Sequence, residues 1–281
     1  MIRDFANEKP VPDRVFAIIE NLYRYDPAPL DSVLDPVEEN TEFWKKQKVT
    51  FNAAYGNERM FAYLYLPKNA SPPYQTVVYF PGTEALDLQS SRNLTLFGWD
   101  FIVKSGRALV CPIYKGHYER HDGFEKVGES SPLLYRDHLI AWSKDLGRAI
   151  DYIETRKDLD HEKLAYYGVD SGAELGNIFL ALEKRIKIGV LVGSGFGFRK
   201  MPPEVDKINF APRVTMPILM VNGRYDYVFP LESSQKPMFR FLGTPEKDKR
   251  HAVFDGGHSP PHDQMIKEVL DWLDRYQGPV K

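Results

Sequence analysis

The sequence predicts an α/β protein, built on a mostly parallel sheet with helices on both faces. Several short, continuous apolar runs alternate with segments of helical periodicity. Continuous runs, unlike alternating ones, are typical of strands that are covered on both faces. Strands that alternate with helices favour parallel pairing, because each helix carries the chain back across the sheet. The 281 residues suffice for one large domain of this class or two small ones.

The strand-like segments begin with a hairpin. Residues 48–55 and 59–67 flank Gly56-Asn57, a dipeptide suited to a tight turn. The apolar runs that follow are predicted strands, at 76–80, 108–111, 163–167, 188–192, 218–221 and 251–254. The clearest helical periodicity lies at 134–156, 172–184 and 263–276. An antiparallel hairpin at the start of the sheet is therefore followed by parallel strands.

The ends of the chain and the longer connections set the predicted organisation. Residues 1–45 contain five prolines among short amphipathic stretches, which predicts an N-terminal helical appendage packed on a main domain of residues 46–281. Between Val192 and Pro217 there are only about two dozen residues, too few for a large helical cap. Any lid over a site must then come from the N-terminal segment and from loops.

Composition narrows the class of protein. The chain is 43% hydrophobic and 27% charged, as in ordinary soluble proteins. Its net charge is -2 and it has no basic tract, so we expect neither nucleic acid nor a membrane as partner. The single cysteine, Cys111, lies in an apolar run and is predicted to be a buried thiol. No apolar stretch has the length of a membrane span or signal peptide, which predicts a cytoplasmic protein.

The most informative motif is Gly168–Gly172, with the sequence Gly-Val-Asp-Ser-Gly, between a predicted strand and a predicted helix. Its spacing is that of a nucleophile elbow, a strained turn that exposes one side chain above the strand ends. Positions two before and two after the exposed residue are crowded, so the terminal glycines select Asp170, where a serine is usual. Ser171 is a minor alternative, because that register would crowd the β-branched Val169. Taken alone, Asp170 could equally be a helix N-cap.

Two further residues follow later strands in an order that favours catalysis. Asp226 follows the run 218–221, and His258 follows the last predicted strand. Nucleophile, acid and histidine in this chain order predict that His258 is the general base and that Asp226 fixes its tautomer. Asp255 is a competitor for the role of the acid. A lone histidine in a glycine-rich loop is usually a surface residue. Three residues of the catalytic types, each following a predicted strand and in the expected order, favour a catalytic site instead.

An oxyanion hole requires backbone N–H groups aimed at developing negative charge. The predicted donors are the N–H groups of Ser171 and Thr83. Gly82 would let the backbone approach the substrate closely, although Pro81-Gly82 is also an ordinary turn.

Several phrases of the sequence together resemble a known family. They lie at 79–82, 105–108, 112–120, 222–226, 234–238 and 257–261. They resemble the esterase-like α/β-hydrolase domain found C-terminal to bacterial eukaryotic-type serine/threonine kinases, a group related to acetyl-xylan esterases and prolyl oligopeptidases. The resemblance runs from about Pro12 to the C-terminus. It implies an α/β-hydrolase fold and a serine hydrolase acting on small-molecule esters, in which Asp226 and His258 match the acid and the base.

The departure from that family falls on the nucleophile, because a serine would stand where this chain has Asp170. A carboxylate attacks sp³ carbon well, as in haloalkane dehalogenases and epoxide hydrolases. Those enzymes carry a tryptophan after the nucleophile or tyrosines on a cap, and here Ser171 follows and the cap is missing. The chain could also be an impaired esterase, in which Asp170 holds His258 as imidazolium, or an inactive homologue that binds a ligand or a partner.

The loop after the strand at 108–111 is predicted to line the substrate pocket, through Tyr114, His117 and Tyr118. His117 and His121 stand at i and i+4, but they lie in a glycine-flanked loop, so we predict no metal there. The chain lacks a complete dinucleotide fingerprint and a phosphate-binding loop, and no cofactor is implied.

Overall fold

The computed structural model describes residues 3–92, 94, 98–124 and 131–280. The strands are β1 (Val33–Leu34), β2 (Glu39–Asn40), β3 (Trp44–Asn52), β4 (Arg59–Pro67), β5 (Tyr74–Phe80), β6 (Ala108–Ile113), β7 (Leu159–Val169), β8 (Ile188–Val192), β9 (Ile218–Gly223) and β10 (Lys249–Phe254). The α-helices are α1 (Asp13–Asn21), α2 (Glu84–Asp87), α3 (Asp100–Lys104), α4 (Pro132–Thr155), α5 (Ser171–Leu182), α6 (Lys236–Phe241) and α7 (His262–Gln277). Within these ranges, no helix is long and apolar enough to cross a membrane.

The strands form one sheet with the predicted change from antiparallel to parallel pairing. Their order is β1-β3-β4-β6-β5-β7-β8-β9-β10, and β2 pairs with β3. β3 and β4 form an antiparallel hairpin in which Val49 lies opposite Ala62, and β4 is antiparallel to β6. The pairs β5–β6, β8–β9 and β9–β10 are parallel. The mostly parallel sheet is confirmed.

Each apolar run predicted as a strand lies in one of β5 to β10, but most of these strands are longer than predicted. β7 begins at Leu159, before the predicted 163–167, because its first part is polar and the apolar pattern detects only the buried part. The hairpin differs more, since β3 ends at Asn52 rather than at residue 55. There the N–H of Ala53 donates to the carbonyl of Glu58, which closes a wider turn than Gly56-Asn57 alone.

The chain divides into two compact units. The first comprises the described parts of Met1–Leu22, Phe80–Gly82 and Tyr166–Tyr276, and the second those of Tyr23–Tyr79, Thr83–Ala165 and Gln277–Lys281. Between β8 and β9, the regular structure consists of two short 3₁₀ turns, Lys207–Asn209 and Ala211–Arg213. The chain therefore has no large cap at this position, as predicted.

In the first unit, the N-terminal segment lies on the connection between β8 and β9. α1 buries Phe16 and Ile19, and the ring of Phe16 meets that of Phe210 edge-on, with 5.2 Å between centroids. Before α1, the Arg3 guanidinium donates to the Asp206 carboxylate, at 2.6 Å for the shorter hydrogen bond. The predicted N-terminal helical appendage is present, and the division at residue 45 stays a prediction.

α5 forms the core of the first unit together with the strands. The ring of Phe179 stacks on that of Phe80, with 4.9 Å between centroids. A Cβ atom at Gly176 would lie 2.5 Å from the side chain of Leu191, so glycine allows the helix to approach β8 closely. Leu191 and Phe179 are fully buried, and each such side chain contributes about 1.5–3 kcal/mol to folding.

The second unit is held by a buried ionic network around α4. Ser131 caps this helix by accepting a hydrogen bond from the N–H of Leu134. Further along, Asp145 is fully buried and accepts hydrogen bonds from the Arg120 guanidinium at 2.6 Å and the Tyr55 hydroxyl at 2.8 Å. Burial raises the pKa of Asp145, and the neighbouring guanidinium opposes that rise.

Candidate active site

The turn between β7 and α5 has a strained backbone at Asp170. Its φ is 50° and its ψ is -113°, a conformation that residues with a Cβ atom rarely adopt. The turn is fixed on both sides, because the N–H of Asp170 donates to the carbonyl of Val192 and its carbonyl accepts from the N–H of Glu174. Such strain persists only where the surrounding structure imposes it, and it is concentrated at functional sites.

The glycines at the two ends of the motif are required by sterics. A Cβ atom at Gly168 would lie 2.6 Å from the carbonyl oxygen of Gly172. A Cβ atom at Gly172 would lie 2.4 Å from the carbonyl oxygen of Phe80, and the N–H of Gly172 donates to the carbonyl of Pro81. The crowded positions are thus those two before and two after Asp170, and Ser171 is the first residue of α5.

Three predicted residues come together at the carboxyl ends of β7, β9 and β10. His258 Nε2 lies 3.1 Å from Asp170 Oδ1, and His258 Nδ1 lies 2.9 Å from Asp226 Oδ2. The Asp226 carboxylate is fully buried, whereas the side chains of Asp170 and His258 are 23% and 24% exposed. Asp255 lies apart from this group and pairs with Arg224 on the surface. The imidazole therefore bridges two carboxylates, of which only one is open to solvent.

The acid is held by the backbone that follows it. Asp226 Oδ1 accepts hydrogen bonds from the N–H groups of Val228, at 2.8 Å, and Phe229, at 3.0 Å. Its other oxygen is thereby directed to the imidazole. His258 also lies close to Gly193, which has a φ of +67°; a Cβ atom there would stand 3.2 Å from the His258 carbonyl oxygen and 3.4 Å from His258 Cε1. Sequence reasoning missed this role of Gly193, although a glycine directly after β8 was a visible signal.

The two carboxylates determine the charge of the histidine. The hydrogen bond to Asp170, followed by that to Asp226, raises the pKa of His258 to about 9, against the opposing effect of burial. At neutral pH the ring is an imidazolium that donates a hydrogen bond from each nitrogen. In that state it has no free lone pair with which to accept a proton.

The predicted oxyanion donors lie on different elements. Ser171 begins α5, and of the residues described none accepts a hydrogen bond from its backbone N–H. Thr83 precedes the short helix α2, and Gly82 is buried before it. The N–H of Ser171 is therefore available to a ligand, and the oxyanion hole stays a prediction.

The predicted pocket residues of the second unit lie together and are buried. The Tyr114 hydroxyl donates to the carbonyl of Tyr79. His117 packs between the rings of Tyr114 and Trp142, at centroid distances of 5.7 and 5.4 Å, and burial lowers the pKa of His117 to about 3. Tyr118 is also buried, with a positive φ of 48°. Their role in binding substrate stays a prediction. In the part of the chain with coordinates, no group of three potential ligands could hold a metal ion.

Similarity to solved structures places this geometry in a known fold. Acetyl xylan esterase 1 from Thermoanaerobacterium sp. JW/SL YS485 superposes with a TM-score of 0.74 over 96% of each chain, at 16% identity. The chain has the α/β-hydrolase fold. An acetyl xylan esterase from Paenibacillus sp. R4 gives a TM-score of 0.70 at 17% identity, covering 97% of this chain and 98% of that one. A glucuronoyl esterase from Solibacter usitatus gives 0.65 at 14% identity, covering 93% and 92%.

Sequence comparison adds nothing to this assignment, because no protein-family model and no curated protein matches the chain. At identities below 20%, the structural likeness establishes the fold alone. Function must therefore be argued from the side chains of the site.

Proposed function

We propose that this chain is a carboxylic-ester hydrolase by architecture, in which Asp170 occupies the place of the nucleophilic serine. His258 is the general base and Asp226 is the acid that orients it. The observation that carries the proposal is the continuous array Asp170–His258–Asp226, with hydrogen bonds of 3.1 and 2.9 Å on the two sides of one imidazole. This is the spacing of a nucleophile, a base and an orienting carboxylate.

With serine at position 170, the array performs acyl transfer. The serine hydroxyl would give its proton to His258 Nε2 as its oxygen bonds to the ester carbonyl carbon. Asp226 then stabilises the imidazolium that forms. The N–H of Ser171 is the proposed donor to the oxyanion, and the alcohol leaves with the proton that His258 returns.

With aspartate at position 170, acyl transfer is slow for two reasons. His258 is already protonated at neutral pH, because its pKa is raised to about 9. Attack of the carboxylate on an ester would moreover form a mixed anhydride while expelling an alkoxide, which is a poor leaving group. The chain with Asp170 should therefore have little activity on simple esters.

The test is the hydrolysis of p-nitrophenyl acetate by Asp170→Ser. We expect a rate at least ~100-fold above that of Asp170→Ala, which lacks a nucleophile, because a positioned base contributes about 10²–10⁴-fold. The double variant Asp170→Ser/His258→Ala is the matched control and should lose the gain. An Asp170→Ser protein that is folded but no faster than Asp170→Ala would refute the ester-hydrolase proposal.

A second candidate function is hydrolysis at sp³ carbon, as in alkyl halides or epoxides. It is favoured because the hydrogen bond that His258 donates to Asp170 is the largest cause of the raised pKa of His258. Attack of Asp170 on carbon would form an alkyl ester while the leaving group departs with its electron pair. The negative charge of Asp170 is then lost, so the pKa of His258 falls and the neutral ring can deprotonate water. The hydroxide bonds to the ester carbonyl carbon and the bond from that carbon to the alkoxy oxygen breaks. The alkoxide leaves as the alcohol with the proton that His258 took from water, and the carboxylic acid of Asp170 then releases its proton to restore the carboxylate.

Intact-protein mass spectrometry separates the two candidates. With alkyl halide and epoxide probes, the alkyl-transfer route predicts an adduct on Asp170 that accumulates in His258→Ala and is absent from Asp170→Ala. An acyl adduct on Ser171 with an activated ester would instead assign the nucleophile to the shifted register. No adduct, together with no gain in Asp170→Ser, would leave a ligand- or partner-binding protein.

A further inference from the structure

The segment after Asp226 contains a π-helical turn, Leu231–Gln235. The N–H of Gln235 donates to the carbonyl of Pro230, five residues earlier, which is the bond that defines such a turn. We call residues 224–229, which connect β9 to this region and carry Asp226, the acid loop. π-Helical turns are rare and occur frequently at functional sites, so the contacts of this one with the acid loop are informative.

Gln235 joins the two ends of the acid loop. Its Nε2 donates to the carbonyl oxygen of Gly223, the last residue of β9, at 3.0 Å. The same nitrogen donates to the carbonyl oxygen of Phe229, the last residue of the acid loop, at 2.8 Å. The side chain is fully buried, so these hydrogen bonds are shielded from water.

The orientation of this amide is determined by its partners. Two carbonyl oxygens can be satisfied only by the NH₂ group, because the flipped amide would place an oxygen against both of them. Gln235 Oε1 has no hydrogen-bond partner among the residues described. A buried acceptor without a partner is unfavourable, and the two hydrogen bonds that Nε2 donates offset that cost.

The hydrogen bonds of Gln235 continue directly into the predicted catalytic array. Phe229, whose carbonyl Gln235 binds, donates its N–H to Asp226 Oδ1. The other oxygen, Asp226 Oδ2, accepts from His258 Nδ1. A change in the position of Phe229 therefore changes the direction in which the Asp226 carboxylate points.

We propose that Gln235 is a positioning residue, which fixes the acid loop so that Asp226 stays in hydrogen-bond geometry with His258. The naming of these two side chains as acid and base rests on the proposed function. The coupling itself is a property of the resting protein, and it is measured without substrate.

The π-helical turn offers a matched control. Ser234 is equally buried, and its Oγ donates to the carbonyl of Phe196, at 3.0 Å, which lies outside the acid loop. Ser234→Ala therefore removes a buried hydrogen bond from the same turn and keeps both hydrogen bonds of Gln235 to Gly223 and Phe229. A general loss of packing would affect both variants alike, whereas positioning of Asp226 would affect only the variants of Gln235.

The experiment is an NMR titration of the His258 Cε1–H resonance in the wild-type chain, Gln235→Met, Gln235→Leu and Ser234→Ala. We expect the pKa of His258 to fall by at least ~0.5 pH unit in both Gln235 variants and by less than ~0.2 in Ser234→Ala. The downfield Nδ1–H resonance, visible when the hydrogen bond to Asp226 is ordered, should broaden or vanish only in the Gln235 variants. Gln235→Met keeps the volume of the side chain, and Gln235→Leu removes the donors with a second, uncharged side chain.

Equal changes in Ser234→Ala and in the Gln235 variants would overturn the assignment, as would an unchanged pKa of His258 in the Gln235 variants. Loss of folding in both Gln235 variants while Ser234→Ala folds would show a structural role alone, and it too would overturn the assignment. None of these results depends on whether Asp170→Ser hydrolyses an ester, so the two proposals fail separately.

Discussion

Replacement of Asp170 by asparagine should lower the pKa of His258 substantially. The substitution keeps the shape of the side chain and removes its charge. Asp170 Oδ1 lies 3.1 Å from His258 Nε2, and a pair of unit charges at that separation is worth about 1.3 kcal/mol in bulk water and about 5 kcal/mol at an effective dielectric constant of 20. Both side chains are nearly a quarter exposed, so we use the lower of the two interaction energies. One pKa unit corresponds to about 1.4 kcal/mol, and the pKa should fall from about 9 by at least ~1 unit.

The assay is a titration of the histidine Cε1–H resonances between pH 5 and pH 10, with His258→Ala identifying the resonance of interest. Asp255→Asn is the matched control, because that carboxylate is exposed and pairs with Arg224. It should leave the titration unchanged. If His258 titrates at the same pH in Asp170→Asn as in the wild-type chain, the electrostatic account of the site is wrong.

Three further predictions concern stability. The pKa of His258 is raised on folding, so its stabilising contribution is complete below about pH 6.5 and is lost as pH rises through 9. In urea denaturation, the free energy of unfolding of the wild-type chain should therefore fall by about 1 kcal/mol more than that of Asp170→Asn between pH 6.5 and pH 10. Gly172→Ala should cost at least about 1–3 kcal/mol, since its Cβ atom would overlap a backbone carbonyl, whereas Gly257→Ala, with no atom within 4 Å, should stay within about 0.5 kcal/mol. Asp145→Ala should cost about 3–5 kcal/mol by removing the fully buried carboxylate of the Arg120–Asp145 ion pair, since the other carboxylate near Arg120, that of Glu58, is 38% exposed; a loss below 1 kcal/mol would contradict that account.

The fold could be predicted from the sequence because its signals are local. A run such as 188–192 is apolar on both faces and too short for an ordinary helix, and these two properties together indicate a strand in the interior of a sheet. The register of the elbow was equally local. Gly168 lies against the carbonyl of Gly172, and Gly172 lies against the carbonyl of Phe80, so neither position has room for a Cβ atom. The spacing of the two glycines therefore identifies Asp170, midway between them, as the residue at the turn.

The partner of His258 was predicted to be Asp226 from the order of residues along the chain, and no local pattern separated it from Asp255. Asp226 and Asp255 both follow strands. His258 lies in a loop whose conformation the sequence does not specify, so either carboxylate could be near it. The structure separates them through contacts with distant residues, because Asp255 pairs with Arg224 whereas Asp226 is surrounded by the N–H groups of its own loop. The hydrogen bonds of the Gln235 amide could not be predicted for the same reason, since one of them is to a carbonyl 12 residues away in the chain.

The buried network of the second unit was also beyond sequence reasoning. Asp145 and Tyr55 are 90 residues apart in the chain, and neither occurs in a pattern that predicts their hydrogen bond. Buried polar contacts of this kind depend on which elements pack together, and hydrophobic periodicity does not predict them.

At Asp170, the positive φ lowers the stability of the turn, whereas the proposed chemistry requires a side chain at that position. Glycine would adopt this backbone conformation without strain, and relief of such strain is worth about 1–3 kcal/mol, offset in part by the greater freedom of glycine in the unfolded chain. The most stable version of this turn would thus carry no side chain at position 170. A screen that selects only for thermal stability would tend to erase the site, and stabilised versions of this protein should be checked first for the residue they carry there.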